Sequence, residues 1–208
     1  MLRSIQVIDN FCPVVEKVRA SAIAAGFGTW KPNKGYVGTS VYEGMGFWGD
    51  HAHMLASLRV SAGDMVPNSM FFRVTRPGME RAYIHSDRET GGYTCVAYLS
   101  EHDEAYGTAF YKHRATGLTE MPTFAEMRST DEYDQLRKDM VEGGEDEWEQ
   151  LSFVRGKFNR AVIFHAPLFH ARLPLEGLGS DDEDSRMVWA CHFHTPYTLS
   201  KIEENYHE

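Results

Sequence analysis

The 208 residues, with 42% apolar, 12% aromatic and 25% charged side chains, fit one domain, or one domain with an insert, and exclude wholesale disorder. A formal net charge of −9 argues against a binder of nucleic-acid backbone, because that affinity comes from clustered Lys and Arg. No run of eighteen apolar residues exists, MLRSIQVIDNF turns polar before a signal-peptide core can form, and Cys12, Cys95 and Cys191 show no CxxC spacing, so a protein of the reducing cytoplasm, away from membranes, is expected.

A short apolar strand at 5–8 leads to Asp9 or Asn10, either of which can cap a helix with Pro13 in its first turn and Val14, Val15, Val18, Ala22 and Ile23 along it. Gly26 and Gly28 end that helix. The stretch from Trp30 to Asp50 is rich in glycine and aromatics and reads as loop and edge strand; Trp30, Tyr36, Phe47 and Trp48 are expected to pack. A second helix is predicted over 51–60. Four β-rich runs follow, at 69–75, 82–85, 92–100 and 108–113, separated by Pro77-Gly78, Gly91-Gly92 and an acidic turn.

Residues 119–150 carry eleven acidic against three basic side chains, a local net of −8, while the remainder of the chain is close to neutral at −1. Thr123 can cap FAEMR, DEYDQLRKDM is made of helix formers, and Gly143-Gly144 closes the stretch. The expectation is a helical acidic insert, at least one face of which meets solvent or a basic partner. Strands resume at 150–154, 161–165, 171–173 and 186–194. The whole reads as mainly β, an antiparallel barrel or sandwich in a single domain: N-terminal support over 1–62, a core over 69–195 and the insert over 119–150.

His85-Ser86-Asp87 ends one of these runs, and alternation along a strand turns residues i and i+2 to the same face. One imidazole and one carboxylate therefore converge. A second His from a distant strand completes a 2-His-1-carboxylate face, which leaves neighbouring positions of an octahedral Fe(II) open. His170, in PLFHARLP, lies between two predicted strands, and His165, on AVIFHA, is its rival. Without a metal, His85 reads as a strand-end imidazole held by Asp87. His51-Ala52-His53 and His192-Phe193-His194 have the HxH form of a cupin site but lack a suitably spaced Glu and a further His.

In their order these motifs resemble the 2-oxoglutarate- and Fe(II)-dependent oxygenases, in particular small members of the prolyl-hydroxylase-like branch. Arg76-Pro77-Gly78 and Tyr83 precede His85-Ser86-Asp87; TCVAYLS, GTAFY, FNRAVIF, FH at Phe169-His170 and Arg186-Met187-Val188-Trp189 follow. The resemblance spans roughly residues 70–195. It implies a double-stranded β-helix, or jelly-roll, barrel with N-terminal helices, and His85, Asp87 and His170 as iron ligands. It also implies Arg186 gripping the far carboxylate of 2-oxoglutarate, Tyr98 as a hydroxyl donor to that carboxylate, and O2-dependent hydroxylation of a C–H bond with release of succinate and CO2. Arg76 stands where that branch usually has Tyr. The 16-residue gap from His170 to Arg186 exceeds the usual spacing because EGLGSDDEDS intervenes, which makes Arg172 a rival for the carboxylate role. Arg186 read structurally is a salt-bridge partner for the Asp181 to Asp184 run, and Tyr98 a core aromatic. Two other functions compete: a non-catalytic barrel module whose acidic segment binds a basic partner, and a cupin-like metalloenzyme that does not use 2-oxoglutarate. A small molecule, a peptide and a protein all remain open as substrate.

Overall fold

The computed structural model describes residues 5–29, 40–41, 48–78, 83–88, 92–102, 105–123, 126, 133–142 and 144–198. Most of the Trp30 to Asp50 stretch, the start of the 82–85 run, Gly91 and most of FAEMR lie outside these residues. In chain order the elements are β1 (Gln6–Ile8), α1 (Val15–Ala25), β2 (Gly28–Thr29), β3 (Ser40–Val41), α2 (Trp48–Ala62), β4 (Val66–Thr75), β5 (Tyr93–Tyr98), β6 (Gly107–His113), α3 (Asp134–Glu142), β7 (Trp148–Arg155), β8 (Arg160–His165), β9 (His170–Leu173) and β10 (Arg186–His194). Among the described residues no helix is long and apolar enough to cross a membrane.

Period-two patterning sorts these strands into two antiparallel sheets. The larger runs β1-β8-β5-β10-β4-β3-β2 and the smaller β7-β6-β9. On β10, Met187, Trp189, Cys191 and Phe193 turn outward, where they join Val15, Val18 and Ala22 of α1 and Met54 and Leu58 of α2 in one buried cluster. Val188 turns inward with Tyr98, Val162 and Phe164 to meet Phe110 and Leu168 from the side of the smaller sheet. Apolar burial on both faces is why β10 reads as a nearly continuous hydrophobic run. An isolated antiparallel bridge, His85↔His170, docks the HxD strand end onto β9, with His85 N–H donating to the His170 carbonyl at 3.0 Å and the reverse bond at 2.9 Å. The result is a mainly β, jelly-roll-like fold.

Two expectations are corrected. Neither Asp9 nor Asn10 caps α1, which starts after Val14 without a side-chain cap. Asn10 sits in a left-handed turn at φ 55°. The chain then lies against Asn159, whose side chain accepts from Cys12 N–H at 2.8 Å and donates to the Cys12 carbonyl at 3.0 Å; these bonds hold the backbone out of helix until Pro13 is passed. The acidic insert is also narrower than 119–150. Its first residues belong to the sheet system: Glu120 bridges Leu168, Phe169 N–H donates to the Thr119 carbonyl and Met121 N–H to the Pro167 carbonyl. Its last residues open β7, and α3 packs Tyr133, Leu136 and Met140 against Trp148, Phe169 and Ala171. Leu136 is fully buried, and Asp139 accepts from the buried His113 imidazole at 2.9 Å and from Gln135 at 2.7 Å.

The EGLGSDDEDS loop closes onto the end of β4. Leu178 N–H donates to the Thr75 carbonyl at 3.1 Å, and Arg186 N–H returns to the Leu178 carbonyl at 3.3 Å. Gly177 and Gly179 have φ of 91° and 83°, and a Cβ on Gly179 would sit 2.0 Å from the Asp184 carbonyl oxygen, so the turn requires glycine there. Arg76 pairs with Asp182 at 2.6 Å. The extra residues are thus absorbed in a loop, and β10 begins at Arg186 in register with Thr75.

Candidate metal and carboxylate site

Antiparallel register assembles the site between the sheets. His85 and His170 face each other across their bridge with ring centroids 4.4 Å apart, and Asp87 is fixed by its own N–H to the Ala166 carbonyl at 2.9 Å. One donor atom from each of His85, Asp87 and His170 lies within 4.8 Å of the other two. His170 Nε2 is 3.2 Å from Asp87 Oδ2, and His85 Nε2 is 3.6 Å from Oδ1. Both Nδ1–H groups are committed: His85 donates to the Tyr83 carbonyl and His170 to the Leu168 carbonyl, each at 2.8 Å. Each imidazole therefore turns Nε2 toward the carboxylate, the orientation that outer carbonyls impose on metal-bound histidines.

A bare His170 Nε2 lone pair facing Asp87 Oδ2 at 3.2 Å would be repelled, so the geometry favours a proton or a cation between them, and in the metal-free protein the surroundings favour the proton on His170. Burial works against the His170 cation, but the Asp87 charge and hydrogen bond, with the Leu168 carbonyl, outweigh it and raise the pKa above 6.5. Burial likewise works against the Asp87 anion, yet His170, His192 and His85 together hold it well below the usual carboxylate range. His85 goes the other way: burial, then repulsion from His170, lower it to about 4.

A second polar group lies farther along the same faces. Arg186 is buried, its Nε makes no hydrogen bond, and no carboxylate among the described residues pairs with it. Burial, reinforced by repulsion from Arg172, lowers its pKa to about 10. The guanidinium lies 5.9 Å from the centroid of the Tyr98 ring. Tyr98 is buried, its hydroxyl hydrogen-bonds Thr108 Oγ1 at 2.7 Å, and burial pushes its pKa up to about 12. Arg172, two residues after His170 on β9, is also buried and donates to the Leu175 carbonyl at 2.9 Å. On β5, Thr94 at the Asp87 end and Tyr98 at the arginine end are about 13 Å apart along the strand.

The structure thus brings His85, Asp87 and His170 together, and Arg186 with Tyr98. His165 is not in the cluster: it opposes Tyr93 on β8 and β5 and reaches Glu120 at 3.2 Å. The expected ion pair of Arg186 with the 181–184 acids is absent among the described residues, where Asp182 takes Arg76 instead. His51 Nδ1 accepts from the Trp189 indole at 3.0 Å and is no ligand. Two participants escaped the sequence reading, Thr94, which donates to Asp87 Oδ2 at 2.9 Å, and Thr108; a third, His192, was read only as part of a cupin-like HxH, and its Nε2 lies 3.4 Å from the same Asp87 oxygen. Alternation from Tyr98 would have placed Thr94 on its face.

A cleft of about 600 Å³ lined by His102, Tyr106, Arg155, Lys157, Arg160 and Asp184 opens elsewhere. It lies beyond the Tyr98 end of β5, away from the His/Asp cluster.

The model of one family, described as a family of unknown function, DUF6445, matches residues 2–190. The chain belongs to the DUF6445 family. No curated protein matches this DUF6445 chain. Among solved structures it is similar to SnoK, a non-heme alpha-ketoglutarate-dependent carbocyclase from nogalamycin biosynthesis, at 14% identity and TM-score 0.52, covering 91% of this chain and 78% of SnoK. It is similar to HygX from Streptomyces hygroscopicus with nickel and 2-oxoglutarate bound, at 15% identity and TM-score 0.54, covering 93% and 83%. A third is the alpha-ketoglutarate-dependent epimerase SnoN from nogalamycin biosynthesis, at 13% identity and TM-score 0.52, covering 91% and 77%. At these identities the DUF6445 chain shares a fold with them.

Proposed function

We propose that the protein is an Fe(II)- and 2-oxoglutarate-dependent oxygenase that hydroxylates a C–H bond, with His85, Asp87 and His170 holding the metal. The observation that carries this reading is the pairing, between the same two sheets, of a His/Asp/His cluster whose imidazoles are pre-oriented through Nδ1 with a buried Arg186 that no carboxylate among the described residues pairs with. His85, Asp87 and His170 would hold the cation in place of the His170 proton, and Arg186 would pair with the free carboxylate of a dicarboxylic ligand. A non-catalytic module gives no reason to bury an uncompensated guanidinium. SnoK, HygX and SnoN carry descriptions naming 2-oxoglutarate, which supports the same choice. The motif order from Arg76-Pro77-Gly78 to Arg186 supports the prolyl-hydroxylase-like branch.

Fe(II) with 2-oxoglutarate and O2 supplies the oxidising chemistry: substrate C–H, 2-oxoglutarate and O2 become substrate C–OH, succinate and CO2. The chain positions the reactants. Arg186 receives the distal carboxylate as a planar, bidentate, charge-assisted pair, with the Tyr98 and Thr108 hydroxyls beside it. Asp87 and the two imidazoles give the metal one negative charge and three donors on one face. Phe110 and Phe164 pack around His170, the latter with centroids 4.6 Å apart, and exclude water behind it. In this reading 1–208 is one oxygenase domain in which 1–62 supply supporting helices and strands, 69–195 form a closed jelly-roll barrel, and the acidic segment 119–150 serves substrate recognition. That last role is supported by its contact beside the metal-site residues, where Arg88, next to Asp87, donates to the Pro122 carbonyl. Incubating the protein with Fe(II), 2-oxoglutarate and O2 should give iron-dependent succinate, lost in Asp87→Ala; no succinate above the metal-free control would overturn the proposal.

A further inference from the structure

We infer that His192, seated by Ser69, is a positioning residue that joins Thr94 in holding Oδ2 of Asp87, and so fixes the carboxylate in the orientation in which it meets the two imidazoles. The inference rests on the metal-site reading above. Register places three residues in one row across adjacent strands, Ser69 on β4 and Thr94 on β5 both opposite His192 on β10. A β-bulge follows directly, between His192 and Phe193, and such bulges re-aim side chains beside sites. Ser69 Oγ lies 2.7 Å from His192 Nδ1. If the hydroxyl donates, Nδ1 is the acceptor and Nε2 carries the hydrogen, aimed at Asp87 Oδ2 at 3.4 Å. Thr94 Oγ1 donates to that same oxygen at 2.9 Å. Oδ2, which also lies 3.2 Å from His170 Nε2, is then held from the larger sheet by Thr94 and His192, while Oδ1 faces His85 Nε2.

His192 is not a fourth ligand, because the set of donors within 4.8 Å of one another comprises His85, Asp87 and His170 alone among the described residues. Its effect is on the orientation of the carboxylate: outer hydrogen bonds to a ligating carboxylate hold it in place and tune its affinity for the metal.

The test is titration of the metal-free protein with Co(II), read by affinity and by the visible ligand-field spectrum, in wild type, His192→Leu, His192→Gln and Ser69→Ala, with a metal-free melting curve for each. His192→Leu should bind Co(II) about tenfold to a hundredfold more weakly, the range for an outer partner of a ligand, and show an altered spectrum at a near-native melting temperature. His192→Gln, whose amide N–H can reach the same oxygen, should restore the spectrum and most of the affinity. Ser69→Ala, a partly exposed strand position, should weaken binding severalfold and serves if His192→Leu does not fold. Wild-type affinity and a superimposable spectrum in His192→Leu or in Ser69→Ala would overturn the inference, as would a His192→Gln no better than His192→Leu. Wild type that binds no Co(II) would instead bring down the metal site itself.

Discussion

Replacing Arg186 by Met should make the metal-free protein more stable and abolish its response to 2-oxoglutarate. Burial lowers the Arg186 pKa from 12.5 to about 10, which at 1.36 kcal/mol per unit is about 3 kcal/mol against the charged form in the folded state. No carboxylate among the described residues offsets it. Methionine keeps much of the apolar stem and removes the buried charge, so a gain of about 1–3 kcal/mol follows. For a chain of this size that is about 2–10 °C in melting temperature. A bound carboxylate supplies the missing countercharge in wild type, so 2-oxoglutarate with a redox-inert metal such as Ni(II) should raise the wild-type melting temperature and leave that of Arg186→Met unchanged. The assay is thermal denaturation of both proteins with and without ligand. A destabilised Arg186→Met that still responds to 2-oxoglutarate would refute the assignment and pass the role to Arg172.

Alanine at His85, Asp87 or His170 should each abolish stoichiometric Co(II) binding by calorimetry, whereas His165→Ala should bind like wild type; loss in His165→Ala with retention in His170→Ala would reverse the assignment. Metal binding must displace the His170 proton, so below the raised His170 pKa the affinity should climb up to about tenfold per pH unit and then level off above it; a flat profile from about pH 6 to about pH 8 would contradict this. In the metal-free protein the raised His170 pKa means that its pairing with Asp87 stabilises fully below about pH 6.5 and is lost as pH rises through the folded value. The depressed Asp87 pKa means that its own contribution is present above about pH 3.9 and is lost as pH falls through the folded value. Leu136→Ala in α3 should cost about 2–5 kcal/mol in urea denaturation; a loss under about 0.5 kcal/mol would restore the picture of a solvated insert.

The strands of the core were legible because short apolar runs bounded by turn residues mark them: 186–194 was read as such a run and coincides with β10. The HxD pair was legible because residues i and i+2 of an extended chain share a face. His170 against His165 was harder, since Ala166-Pro167 is a turn that resets the register between two apolar runs, and only the bridge to His85 decides between them. His192 was set aside because its partners, Ser69 and Thr94, come from strands far off in sequence, and no linear spacing encodes a row across three strands. The acidic segment misled through its net charge. Tyr133, Leu136 and Met140 do fall at helical spacing, but eleven carboxylates obscured a three-residue apolar face and the Asp139 that reaches His113.

Anaerobic titration of the protein with Fe(II) and then 2-oxoglutarate, followed by visible absorption, asks most directly whether one space between the sheets holds both metal and cosubstrate. A weak charge-transfer band that requires both additions, saturates at one equivalent of each, vanishes in Asp87→Ala and is absent in Arg186→Met at 2-oxoglutarate that saturates wild type is the expected result. Fe(II) bound by wild type with no band at saturating 2-oxoglutarate would contradict it.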